Sequence, residues 1–271
     1  MRIAIGIEYD GSNYHGWQRQ KDHQSIQSVV EKAVSQVANE LVSIVCAGRT
    51  DSGVHASEQV AHFDSEAKRD TQAWLMGTNA YLPEDIRIIW AKKLNADFHA
   101  RTSAIARFYR YTILNRSVAS ALLKKQVTWH PRPLDVHKMQ EAANFLIGSH
   151  DFSSFRAQAC QSRSPFRTMY FINVQRKGDT INIVVSANAF LHHMVRNIAG
   201  VLIDVGNGKN EPEWVAEILA MRNRKDAGVT APPYGLYLGS IFYPECFGIP
   251  KNPVFDQLPD GISRIEHQII S

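Results

Sequence analysis

SIQSVVEKAVSQVANE, residues 25–40, places Ile26, Val29, Val30, Ala33, Val34 and Val37 along one helical face, with Ser25 positioned to cap the first turn. Before it, RIAIGIEYD (2–10) alternates, setting Ile3, Ile5, Ile7 and Tyr9 on one side of a strand. After it come two short strand-like runs, SIVCAG (43–48) and EQVAHFD (58–64), flanking the loop RTDSGVHAS. A second helix runs from about Thr71 to Leu82, where Pro83 stops it, and DIRIIWAKKL (85–94) reads as a strand. Strand, helix, strand, strand, helix, strand is the split βαβ order of a ferredoxin-like unit.

The order then repeats. ARFYRYTILN (106–115) reads as a strand and LDVHKMQEAANFLIG (134–148) as a helix capped by Asp135 and stopped by Gly148. An irregular stretch, 150–166, leads to a hairpin over 167–190 that turns at Lys177-Gly178-Asp179. Two helices, 190–206 and 211–223, precede a last strand, LYLGSIFYP (236–244). The expected fold class is α+β: two ferredoxin-like, RRM-like βαββαβ halves joined around a central, mostly antiparallel sheet, with an active-site cleft between them. The expected boundaries are 1–100, 101–250 and a C-terminal tail, 251–271.

The composition is that of an ordinary globular protein, with 271 residues, 44% hydrophobic and 21% charged. No apolar run reaches membrane-spanning length, and MRIAIGIEYD reads as a strand rather than a cleaved leader. Cys46, Cys160 and Cys246 are scattered and odd in number, which argues against a disulfide scaffold or a thiolate zinc site and fits a reducing cytoplasm. A net charge of +4 permits a polyanionic partner without requiring one. Arginines interleave with rings in RFYRYTILNR (107–116) and QSRSPFR (161–167), the pairing that single-stranded nucleic acid exploits, although a solvated strand edge would look the same.

AGRTDSGVHA (47–56) gathers Arg49, Asp51, Ser52 and His55 around two glycines. TDSGVH lacks the G-x-S-x-G elbow of a serine hydrolase. Adjacent His192 and His193 diverge by about 100° on a helix, unlike zinc ligands at i, i+4. GVLIDVGNGKN (200–210) lacks phosphate-loop spacing, and its glycines read as helix termination. There is no G-x-G-x-x-G for a dinucleotide. What remains is Asp51. A loop carboxylate near an arginine suits a nucleophile or a base, and it equally suits an Asx-turn that only shapes the loop.

Six ordered blocks resemble the tRNA pseudouridine synthase family: YDGSNYHGWQRQ (9–20), AGRTDSGVHASEQVAHF (47–63), FHARTSAIARFYRYTILNR (98–116), GSHDFSSFRAQACQSRSPFR (148–167), ANAFLHHMVRNIAG (187–200) and AGVTAPPYGLYL (227–238). The resemblance implies an isomerase that turns uridine into pseudouridine at positions 38, 39 and 40 of the tRNA anticodon stem-loop, without a cofactor or metal, as a homodimer. It implies Asp51 as the catalytic nucleophile or base, Arg196 as its ion-pair partner, Arg49 as the residue of base flipping, and Tyr109 as the ring that stacks on the target uracil. A non-catalytic pair of RRM-like RNA-binding domains is the alternative, weakened by the lack of an RNP1-type strand. Tyr14, His15, Trp17 and Gln18 sit in a block whose implied place is near the RNA, while Trp17 equally suits core packing. The segment LKKQVTWHPRPL (123–134) and the tail resemble the family least.

Overall fold

The computed structural model describes residues 1–250, so the tail expected at 251–271 lies outside the described residues. The chain divides into two compact units, Met1–Ala106 together with the segment that begins at Leu238, and Arg107–Tyr237.

The first unit runs β1 (Arg2–Tyr9), α1 (Ile26–Ala38), β2 (Val45–Cys46), β3 (His55–Asp64), α2 (Thr71–Tyr81) and β4 (Ile86–Leu94). β1 lies between β4 and β3, antiparallel to both, and β2 pairs antiparallel with β3. This is the βαββαβ arrangement read from the sequence. Ser25 caps α1 in a reciprocal capping box with Ser28, and Asp70 caps α2 by accepting from the Ala73 amide. β1 is buried on both faces, because Ala4 and Gly6 are as enclosed as Ile3, Ile5 and Ile7. α1 packs on α2, and Trp74 of α2 meets Phe63 of β3 edge-on at 5.1 Å. Buried Glu31 of α1 is held by Arg19 (3.0 Å), Gln27 (3.0 Å) and the Ile44 amide (3.0 Å), the full pairing that a buried carboxylate requires.

The second unit begins with β5 (Ala106–Asn115) and β6 (Thr128–His130), which pair in parallel. It continues through α3 (Val136–Asn144), β7 (Gly148–Asp151), β8 (Phe166–Lys177), β9 (Thr180–Ala187), α4 (Met194–Gly206) and α5 (Trp214–Met221). Its strands lie in the order β5, β9, β8, β7, with antiparallel pairs throughout. Asp135 caps α3 by accepting from the amides of His137 and Lys138, and α3 packs on α4 and β8. Two short strands were not expected from the sequence: β6, inside 123–134, and β7, which spans the expected helix stop at Gly148 and the start of the stretch read as irregular. Gly148 opens β7 three residues after the α3 C-cap, Phe145. β10 (Leu236–Phe242) is hydrogen-bonded to β3, and from Leu238 the chain counts with the first unit. The fold is therefore α+β with mostly antiparallel strands. Among the described residues no helix is long and apolar enough to cross a membrane.

Glu58 of β3 is 1% exposed, and its carboxyl accepts from Trp90 Nε1 (2.8 Å) and from the Ser240 hydroxyl (3.2 Å). Burial pushes its pKa up from 4.5 to about 7, against the opposing effect of these two hydrogen bonds. Between those values the folded state holds a proton that the unfolded chain has released, so stability falls as pH rises from 4.5 toward 7. Glu58→Gln has nothing to ionise. It is expected to match wild type near pH 4.5 and to exceed it at pH 8 by on the order of 3 kcal/mol or less, read from urea midpoints. A variant less stable than wild type at pH 8 contradicts this.

Candidate active site

The loop that carries Asp51 is tied at both ends and in the middle. Upstream, the Ala47 amide donates to Val60 O (2.8 Å), and the Gln59 side chain bridges the amide and carbonyl of Gly48. Downstream, β3 begins at His55, so the His-Ala-Ser end of the sequence loop is already strand, set by the pairing of Tyr9 with Ala56. Between them, Val54 N donates to Asp51 O (3.1 Å) and closes a turn whose third residue is Gly53, at φ +77°. Glycine is the residue such a position calls for. Asp51 therefore opens a turn that its backbone carbonyl closes, and it does so half-buried between exposed Ser52 and buried Thr50.

The segment 11–17 forms the clamp. Trp17 N donates to Thr50 O (3.0 Å), and Tyr14 O accepts from Gly53 N (3.4 Å) and from the Ser52 hydroxyl (3.2 Å). The Thr50 and Tyr9 hydroxyls meet at 2.8 Å. Tyr14 is buried, and its hydroxyl donates to Asp85 (2.6 Å); burial, followed by that carboxylate, raises its pKa. Trp17 is 1% exposed and tilts against Tyr9 at 6.0 Å, so of the two readings of this ring the structure supports core packing. Buried His55 places Nδ1 3.2 Å from the Gly11 amide and 3.0 Å from Asp10 Oδ1. The two contacts are alternatives set by where the ring hydrogen sits: a bare Nδ1 accepts from Gly11, and an Nδ1–H donates to Asp10. Arg49 is exposed on the same loop, two residues before Asp51.

Tyr109 and Arg196 belong to the second unit. Tyr109 lies on β5 opposite Val185 of β9, is 8% exposed, and meets Phe190 edge-on at 5.0 Å. Its neighbours on that face are committed elsewhere. The Arg107 guanidinium donates to Asn188 O (2.6 Å). The Tyr111 hydroxyl donates to Pro232 O (2.8 Å) while accepting from Thr128 (2.6 Å), and burial raises its pKa. Arg196 stands in the first turn of α4, half-buried, with Nε donating to Ala231 O (2.9 Å). The positive end of the helix dipole there favours anions and disfavours a cation left alone. His193 caps α4 in the left-handed region, φ +62°, and its ring lies 4.0 Å from that of His192; the pair precedes the helix and not its far end. Ala231, which bonds Arg196, and Asn197, Arg224 and Thr230, which bond one another beside it, carried no sequence signal beyond membership of two of the quoted blocks and the stretch between them.

Residues 5–103 and 142–244 match the tRNA pseudouridine synthase family. The chain is 58% identical over 266 residues to tRNA pseudouridine synthase A of Methylococcus capsulatus, with 98% of each chain covered. It is 55% identical to that of Nitrosococcus oceani, over 93% of this chain and 97% of that one, and 53% identical to that of Vibrio campbellii, over 97% and 100%. Among solved structures, a chain from the archaeal box H/ACA sRNP Nop10–Cbf5 complex overlaps with 74% of this chain and 43% of its own, at 12% identity and a TM-score of 0.34. The chain belongs to the tRNA pseudouridine synthase family. It is accordingly an isomerase of the class that acts on tRNA.

Gly16 lets the clamp approach the loop. Its φ is +82°, and a Cβ there would stand 2.7 Å from Thr50 O and 3.0 Å from the Asp51 carbonyl carbon. Gly16→Ala is expected to lose about 1–2 kcal/mol from the left-handed backbone alone, with a further loss from the contact. The measurements are a urea midpoint and hydrogen exchange at the Trp17 and Gly53 amides, which should quicken. An unchanged midpoint contradicts the clamp.

Proposed function

We propose that this protein isomerises uridine to pseudouridine at positions 38, 39 and 40 in the anticodon stem-loop of tRNA, with Asp51 as the catalytic carboxylate. The supporting observation is the Asp51 loop: a half-buried carboxylate on a turn clamped at its middle and both ends, in a chain of this family. In the reaction the N1–C1′ bond breaks with its electron pair on N1, the uracil turns, and C5 bonds to C1′. The C5 proton leaves and N1 takes one up. Bonds and electrons balance within one substrate, so the proposal calls for no cofactor and no metal.

Asp51 serves either as the nucleophile at C1′ or as the base at C2′, and both roles need it ionised. Arg196 supplies the cation that keeps a partly buried carboxylate so. Arg49, exposed on the same loop, fills the gap that the extruded nucleotide leaves in the stack. The Tyr109 ring, braced edge-on by Phe190, stacks on the uracil. A homodimer doubles the modest charge of +4 per chain toward the phosphate backbone, and the scattered cysteines suit the cytoplasm.

The test is the full chain with an unmodified tRNA transcript and pseudouridine mapped at single-nucleotide resolution. Wild type should modify positions 38–40. Asp51→Asn keeps the turn acceptor but can neither attack nor take a proton, so it should bind tRNA and form no pseudouridine. Arg196→Ala should be crippled as well, since it removes the cation that keeps the half-buried carboxylate ionised. Near-wild-type turnover by Asp51→Asn rejects the proposal, because a residue that only shapes the loop would tolerate the change.

A further inference from the structure

An arginine side chain in the first turn of a helix is long and has about 2 kcal/mol of rotamer entropy to lose, so a guanidinium that must point one way needs a mount. Arg196 has one. Its Nε donates to Ala231 O (2.9 Å), and the Ala231 amide donates back to Arg196 O (3.1 Å), which binds the side chain and main chain of one residue to the two ends of another. The mount is therefore only as rigid as the segment 227–231. That segment lies directly on α4, since a Cβ at Gly200 would stand 1.8 Å from Val229 O.

A second rung fastens the same segment one residue along. The Thr230 hydroxyl donates to Asn197 Oδ1 (2.7 Å) and accepts from an Arg224 terminal nitrogen (2.8 Å), which also donates to Asn197 Oδ1 (3.0 Å). The other Arg224 terminal nitrogen donates to the carbonyls of Ala227 (2.9 Å) and Gly228 (2.8 Å). Asn197 is fully buried, and its amide donates to Phe155 O (2.7 Å). These acceptors of the Arg224 guanidinium are all neutral oxygens, and burial lowers its pKa. The planar fork is thus used for its geometry, as a bracket between α4 and the segment that carries Ala231.

We infer that Asn197, Thr230 and Arg224 are positioning residues for the reaction: they fix Ala231, and through it the direction of the Arg196 guanidinium. The inference rests on the reading of Arg196 as the cation for the catalytic carboxylate. It adds what aims that cation.

The experiment is single-turnover pseudouridine formation on an unmodified tRNA transcript, with enzyme concentration varied to separate rate from affinity. Thr230→Val keeps the shape and removes the hydroxyl. Its rate should fall by about ten- to a hundredfold, the scale of a misplacement of about 1 Å, at unchanged half-saturation. Thr230→Ser, which restores the hydroxyl, should recover most of the rate. In an Arg196→Lys background, where no Nε–H meets Ala231 O, adding Thr230→Val should cost less than about twofold, the mark of two residues acting as one unit. A Thr230→Val enzyme at wild-type rate, or equal losses in both backgrounds, overturns the inference while leaving Arg196 in place. Wild-type rates in both Arg196→Lys and Arg196→Ala overturn instead the reading beneath it, and the inference with it. If circular dichroism shows Thr230→Val unfolded at the assay temperature, Arg224→Met in the same two backgrounds decides by the same criteria.

Discussion

The hydrogen bond from the Trp17 amide to Thr50 O is the constraint on which the Asp51 loop depends, because it fastens the residue beside Asp51 to a segment that is itself anchored in the core. The buried Trp17 indole anchors that segment, and the backbone reaches Thr50 because Gly16 has no side chain. Tyr14 adds the second point of attachment, taking the Gly53 amide and the Ser52 hydroxyl on one carbonyl. A loop held in this way has little ordering entropy left to lose, which is what the role proposed for Asp51 requires.

The second unit solves the same problem with a helix. Arg196 is held in direction by Ala231, and the segment that carries Ala231 is pinned by a network of side-chain hydrogen bonds rather than by a strand. On β5, Tyr109 and Tyr111 share a face and differ in what surrounds them. The hydroxyl of Tyr111 is committed to Pro232 and Thr128, which makes it a tie between segments, whereas the Tyr109 ring is braced by Phe190.

Much of the fold was legible in the sequence where local rules act alone. Ser25 and Asp135 cap their helices as read, because a short polar side chain before an apolar period has little else to do. Of the two glycines read as helix termination, Gly206 is the last residue of α4 and Gly208, at φ +70°, follows its C-cap. Legibility ended where partners decide. β6 and β7 are three and four residues long and exist because β5 and β8 lie beside them. β1 showed one apolar face, yet Ala4 and Gly6 on the other are buried too, while Glu8 on that face stays exposed. At the site, the turn at Ser52-Gly53 was foreseeable, and the turn alone does not distinguish a catalytic aspartate from a shaping one. The bond between Asn197 and Thr230 spans 33 residues, a separation at which no periodicity speaks.

β3 is flanked by β1 on one side and has both β2 and β10 as further partners, so the last strand of the described chain shares an edge with a two-residue strand. Ser240 on Glu58, the Tyr243 hydroxyl on Ala100 O (2.6 Å) and the Ile105 amide on Phe242 O (2.8 Å) belong to the same closure. A chain emerging from the ribosome therefore cannot finish its first unit first. The strand that leads out of the aspartate loop waits for its neighbour until the whole of the second unit has been synthesised, and a translation product truncated before Leu236 carries that loop on an incomplete sheet.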